Sequence, residues 1–201
     1  MEGFIPPHGG YSELLTYRKA EVVYDATVRF CERYFDKRDR TREQMVQAAR
    51  SAKQNIVEGS LASGTSKEAE IKLTNVARAS LEELLTDYRD FLRIRGLREW
   101  RKDEPHALRL RELNRSADPV YESFRKGVEH ENPEIGANVV IGLIKVVSYL
   151  LDRQIARLEQ DFLREGGLRE RMTRARVRER GRGRSQQSQR DPRDERDPRD
   201  G

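Results

Sequence analysis

Residues 132–162 read NPEIGANVVIGLIKVVSYLLDRQIARLEQDF, and this stretch decides the fold class. Asn132 is a capping residue, Pro133 suits the first helical position and Glu134 suits the first turn. Val139, Leu143, Val146 and Leu150, then Leu151, Ile155, Leu158 and Phe162, recur at helical spacing, and Gly166-Gly167 ends the run. Residues 135–151 are apolar enough to raise the question of a membrane span. Asn138 and Lys145 interrupt them, the run falls short of about 20 apolar residues, and its second half is amphipathic. The expectation is a central, largely buried helix with no membrane partner.

Three more segments share the pattern. In 12–38, Tyr17, Ala20, Tyr24, Thr27, Cys31 and Tyr34 recur at steps of three and four, with Leu14, Val28 and Phe35 widening the stripe. Ser12 is the expected cap, and at about 1.5 Å per residue this helix is about 40 Å long. Thr41 and Gln44 make a capping-box pair opening 42–60, whose stripe is Met45, Ala49, Ala52 and Ile56 and whose end falls near Gly59. Thr65 and Glu68 open a helix over 66–95 with Ala77, Leu81, Leu84, Tyr88 and Phe91, and Gly96 sits where a left-handed C-cap is expected. The stretch 97–131 is a charged insert in which Ala107–Arg115 and Pro119–Val128 read as short helices, the second capped by Asp118. No segment has a period of two. The expectation is an all-α fold: an up-and-down four-helix bundle over 12–165 with an insert between its third and fourth helices.

The charge is unevenly placed. Of 40 Lys+Arg and 35 Asp+Glu, residues 168–201 hold 12 Arg and 7 acids, leaving 28 of each in the body, so the excess of +5 lies wholly in the tail. Arg169, Arg171, Arg174, Arg176, Arg178, Arg180, Arg182 and Arg184 stand against Glu170 and Glu179 alone. Beyond them, RDPRD at 190–194 recurs at 196–200, with no aliphatic or aromatic side chain whose burial would offset ordering. Residues 166–201 are therefore expected to form a basic, mostly disordered tail, and 1–11 a leader. No basic patch precedes an apolar core in the first thirty residues, so no signal peptide is read and a cytoplasmic location is expected.

Familiar chemistry is missing. Di-iron bundles need Glu-x-x-His on two helices, and this sequence has none. His8, His106 and His130 fall in the leader, the insert and the loop before the last long helix, where they read as surface residues. Cys31 sits on an apolar stripe without a histidine nearby and reads as core. Neither phosphate-binding glycine motif occurs. The expectation is a non-enzyme with no cofactor and no metal.

Residues 47–60 read QAARSAKQNIVEGS, and 79–84 read ASLEEL. Ser51, Asn55, Ile56, Glu58 and Gly59, followed by Ser80 and Glu83, match the pattern of a family of small bacterial four-helix bundle proteins, first noticed as reading frames in intervening sequences of large-subunit rRNA. Leu15, Tyr17, Lys19 and Ala20 fit its first helix. The chain resembles that family over roughly 12–96 and more loosely over 133–162. Gln47 stands where the family often has a basic residue, Lys53 where it often has Pro. The insert of about 35 residues resembles the variant carrying the four-helix bundle suffix domain. Related members are accessory proteins of diversity-generating retroelements that assemble as pentameric barrels, bind nucleic acid and associate with a reverse transcriptase. The resemblance thus implies a homo-oligomer, pentameric by analogy, with RNA or DNA and a nucleic-acid enzyme as partners.

Read physically, Ser51, Asn55 and Glu58 share one helix face, as do Ser80, Glu83 and Asp87 on the next. Such polar groups beside a buried seam need partners. They either fix helix register and the turn at Gly59 or bind a ligand. The arginine arm either tracks a phosphate backbone or keeps the chain soluble as a tail or helix extension. The first functional expectation is an oligomeric nucleic-acid-binding accessory protein; the alternative is a protein–protein adaptor with an inert tail.

Overall fold

Among the described residues the chain forms seven α-helices and no strand, so the protein is all-α. The structure is a computed structural model that describes residues 9–188 and the side chains of all of these except 165, 171 and 182–188. The helices are α1 (Leu15–Tyr34), α2 (Arg40–Ala62), α3 (Lys67–Ile94), α4 (Pro105–Leu113), α5 (Arg125–Val128), α6 (Pro133–Glu165) and α7 (Leu168–Ser188). Single 3-10 turns lie at Tyr11–Glu13 and Tyr121–Ser123. The long helices pack in a closed cycle, α1 on α2 and α6, and α3 on α2 and α6.

The expected stripes of α2 and α3 are the buried ones: Met45, Ala49, Ala52 and Ile56 on one, Ala77, Leu81, Leu84, Tyr88 and Phe91 on the other. In α1 the expected line is only half right. Ala20, Thr27 and Cys31 are buried, but Tyr17, Tyr24 and Tyr34 are half-exposed, and Val23, Ala26 and Phe30 go inside instead. The cause is that α1 meets α2 on one side and α6 with the insert on the other, so two adjoining faces are covered. Phe30 lies at the middle of the aromatic cluster, 4.9 Å from both Tyr88 and Phe91 between ring centres.

Helix starts differ in detail. Ser12 lies in the first 3-10 turn, whose bonds from Glu13 N to Gly10 O and from Leu14 N to Tyr11 O delay α1 to Leu15. Asp39, not Thr41, caps α2, its carboxylate accepting from Thr41 N at 2.9 Å. Ser66 caps α3 because the Thr65 N–H and hydroxyl are both spent on Ala62 O. Asn132 caps α6 as expected, accepting from Glu134 N at 2.9 Å. Gly96 has the expected left-handed backbone, φ 65°. Gly59, however, is inside α2, which runs on to Ala62. There is no turn at Gly59; it faces Glu70 O and Leu73 Cβ, where α2 and α3 come close.

The insert is an ordered layer over α6. Gly136 to Ile141 are six consecutive buried residues, so this part of α6 is enclosed all round, by α1, α3, α4 and α5. Two glycines let the insert approach: a Cβ at Gly136 would lie 2.9 Å from Val128 O, and one at Gly142 would collide with the Leu110 side chain. Asn138 accepts from Trp100 N at 2.7 Å and donates to Arg98 O at 2.9 Å, pairing with the insert as a neighbouring strand would. Lys19, 4 % exposed, donates from Nζ to Asn114 O at 2.8 Å, placing a cation at the C-terminal end of α4. Burial lowers its pKa. Asp118 does not cap a helix, because its carboxylate pairs with Arg18 at 3.2 Å and its N–H with Ser116 Oγ. α6 is the one described helix long and apolar enough to cross a membrane, and its apolar first half is the part the insert covers.

The C-terminal segment departs most from expectation. Leu168–Ser188 is a helix, not a disordered tail. Arg, Glu, Gln, Leu, Met and Ala are strong helix formers, and the Gly167 N–H donates to the Glu170 carboxylate at its start. Both RDPRD repeats and His8 lie outside the described residues.

Candidate functional site

Two places carry the residues singled out in the sequence. The first is the α2–α3 seam. Asn55 Nδ2 donates to Ser51 O at 2.8 Å and to Ser51 Oγ at 3.3 Å. Ser51 Oγ lies 3.0 Å from Ser80 Oγ, which donates to Val76 O at 3.1 Å. With the Ser80 proton on Val76 O, the Ser51 hydroxyl must donate to Ser80, so a one-way relay runs from Asn55 through Ser51 and Ser80 to a backbone carbonyl. Each hydroxyl is satisfied within the relay, and no side chain in it is a base able to take a serine proton at neutral pH. Glu58 and Glu83 are exposed and take no part in it. Asp87 is half-buried, and desolvation, then the charges of Glu83 and Asp90, raise its pKa. The motif therefore divides into Ser51, Asn55, Gly59 and Ser80, which join two helices, and two carboxylates on the outside.

Burial pushes the Cys31 thiol up to about 12, well away from a reactive thiolate. His106 is exposed and stacks on Trp100, with ring centres 5.3 Å apart, and His130 accepts from Asn132 N at 3.0 Å through Nδ1. Among the described residues no group of three His, Cys, Asp or Glu side chains converges as a metal-ligand set.

The second place is α7. Gly166, with φ 71°, ends α6, and the chain restarts as a helix at Leu168. None of its described side chains is buried, and Arg169, Arg174, Arg176, Arg178 and Arg180 are exposed. Arg171, Arg182 and Arg184 belong to the same helix, but their side chains are outside the description. Helical register sorts the eight positions into two rows on opposite faces, 169, 176, 180 and 184 on one and 171, 174, 178 and 182 on the other. These two rows were not legible in the sequence, where the arm reads equally as a tail or as a helix extension.

The chain matches no family model, no curated protein and no solved structure. The expected resemblance to the rRNA intervening-sequence proteins has only the motif residues behind it. Of these, the structure brings Ser51, Asn55 and Ser80 into one hydrogen-bonded unit and leaves Glu58 and Glu83 apart. The residues that sequence reasoning missed are those docking the insert: Lys19 as an anchor, Trp100, Gly136 and Gly142. Asn138 interrupting an apolar run was the visible signal.

Proposed function

We propose that the protein is a non-enzymatic nucleic-acid-binding accessory protein. In this reading α1, α2, α3 and α6 form an up-and-down four-helix bundle that is the assembly platform for a homo-oligomer, and α7 is the electrostatic contact. The observation that carries the reading is the exposed arginine array of α7, a helix whose own acidic residues are Glu170 and Glu179. An Arg-rich helix with no buried face neutralises phosphates more readily than it packs against protein. The motif seam between α2 and α3 supports the platform role, since its hydrogen bonds end on the backbone. By family resemblance the oligomer is a pentamer and the assisted enzyme a reverse transcriptase, in the cytoplasm, with no cofactor and no membrane.

The test is RNA and DNA binding across a salt series, with the mass from light scattering, using the full chain and one ending at Gly167. If the five described exposed arginines each contact a single-strand phosphate, log affinity falls against log salt with a slope of about −3.5. Binding lost on truncation supports α7 as the contact; binding retained by the shorter oligomer moves it to the helices α1–α6. Absence of binding by either at low salt refutes the reading. The adaptor alternative has its own support in the insert, where Leu108, Leu113 and Val120 are exposed. Pull-down by the insert face with no nucleic acid bound would favour it.

A further inference from the structure

The insert leaves a cavity of about 380 Å³ against α6, in the range of small-molecule sites. Leu110, Phe124, Ile135 and Val139 make its floor, and the Trp100–His106 stack stands at one side. Every ionisable residue lining it is basic: Arg109, Lys126, His106 and His130, with no carboxylate among them. The insert's eight Lys and Arg divide evenly, and Arg111 is one of the four without a carboxylate among the described residues, its guanidinium donating to Lys102 O instead. Arg98, Arg101, Arg115 and Arg125 each pair with a carboxylate at 3.5 Å or less. Arg109 and Lys126 have no such partner among the described residues, and neither has Lys102, which lines the adjoining cavity. With its Nδ1 accepting from Asn132, a neutral His130 carries its proton on Nε2 and is a donor.

We propose that this cavity binds a small amphipathic organic anion, an aromatic or aliphatic body bearing one carboxylate or sulfonate. The apolar floor takes the body, and Arg109 and Lys126 take the charge. A neutral ligand leaves both cations without their counter-charge, and a bare inorganic anion leaves the floor uncovered. The site is independent of nucleic-acid contact through α7.

The chain has a single tryptophan, Trp100, and it lies in the cavity wall, so the protein carries its own reporter. The full chain is titrated with 8-anilinonaphthalene-1-sulfonate while Trp100 emission and energy transfer to the probe are followed. N-phenyl-1-naphthylamine, the same ring system without the sulfonate, is the neutral comparison. The expected result is saturable quenching of Trp100 by the anion, with the neutral analogue about ten-fold weaker. R109Q/K126Q should weaken the anion by about ten-fold and leave the neutral analogue unchanged, in keeping with two charge contacts at a partly exposed site. Both substitutions are at exposed positions, and an unchanged thermal melt confirms that the variant folds. Equal affinity for the two probes, an anion affinity indifferent to R109Q/K126Q, or anion binding that leaves Trp100 emission untouched would each overturn the proposal.

Discussion

α6 and α7 are consecutive helices separated by two glycines, and they are helical for opposite reasons. The first half of α6 is mostly apolar, and from Gly136 to Ile141 it is held by what covers it on every side. α7 has no buried described side chain and is helical through the propensities of its residues. Apolar patterning therefore shows where a helix packs, while its absence does not show where a helix ends. The disorder expected for 166–201 came from equating lack of a core with lack of structure.

The sharpest break in that comparison is one truncated side chain in each helix. Ile144→Ala, in the enclosed part of α6, should lower unfolding stability by about 2–5 kcal/mol, measured by denaturant titration. Val177→Ala on α7 should stay within about 0.5 kcal/mol of the parent in the same titration. Equal effects would mean that α7 is packed after all.

Next in size are the glycines. Gly136→Ala pushes a Cβ against the Val128 carbonyl, which belongs to the backbone and cannot turn aside. It should cost about 1–3 kcal/mol. Gly59→Ala meets only ordinary contacts at 3.5 Å and exchanges the poorest non-proline helix former for the best. It should stabilise by up to about 1 kcal/mol, and destabilisation there would show that the motif glycine has a role beyond close approach of α2 and α3.

A double-mutant cycle on Ser51→Ala and Ser80→Ala sharpens the reading of the motif. Each single change should cost about 1 kcal/mol, and the pair less than the sum, because the hydroxyls satisfy one another. Strict additivity would dissolve the relay.

The smallest effect is acid loosening of the insert. Hydrogen bonds from Arg98 and from the Arg101 N–H hold the Glu104 carboxyl at about 2 against an ordinary 4.5. A depressed acid contributes its stabilisation above the unfolded value and loses it as pH falls from 4.5 towards 2. Trp100 emission should therefore shift across that window, and Glu104→Gln should remove the part of the shift due to this group.

How far the sequence could be read depends on what each residue needed to know. The stripes of α2 and α3, the Asn132 cap and the Gly96 C-cap follow from spacing within about one helical turn, so they were legible. The α1 face was misjudged because two neighbours cover it, and sequence period reports one stripe at a time. Thr41 and Thr65 fit the cap pattern, yet Asp39 and Ser66 take the role: Asp39 accepts from Thr41 N, and the Thr65 hydroxyl and N–H donate to Ala62 O. Of the candidate site, the shared faces of Ser51 with Asn55 and of Ser80 with Glu83 were visible, but the direct Ser51–Ser80 bond spans two helices.

By itself the sequence determined that the chain is helical, where α1, α2, α3 and α6 lie, and that the excess positive charge sits at its C-terminal end. These are properties of local spacing and of composition. Only the tertiary structure decided that the charged insert is a layer closing the apolar half of α6. That depends on Lys19, Trp100, Gly136 and Asn138, which are far apart along the chain and meet only when the helices pack. The cavity flanked by unpaired cations arises in the same way, because a gap between two elements belongs to neither sequence alone.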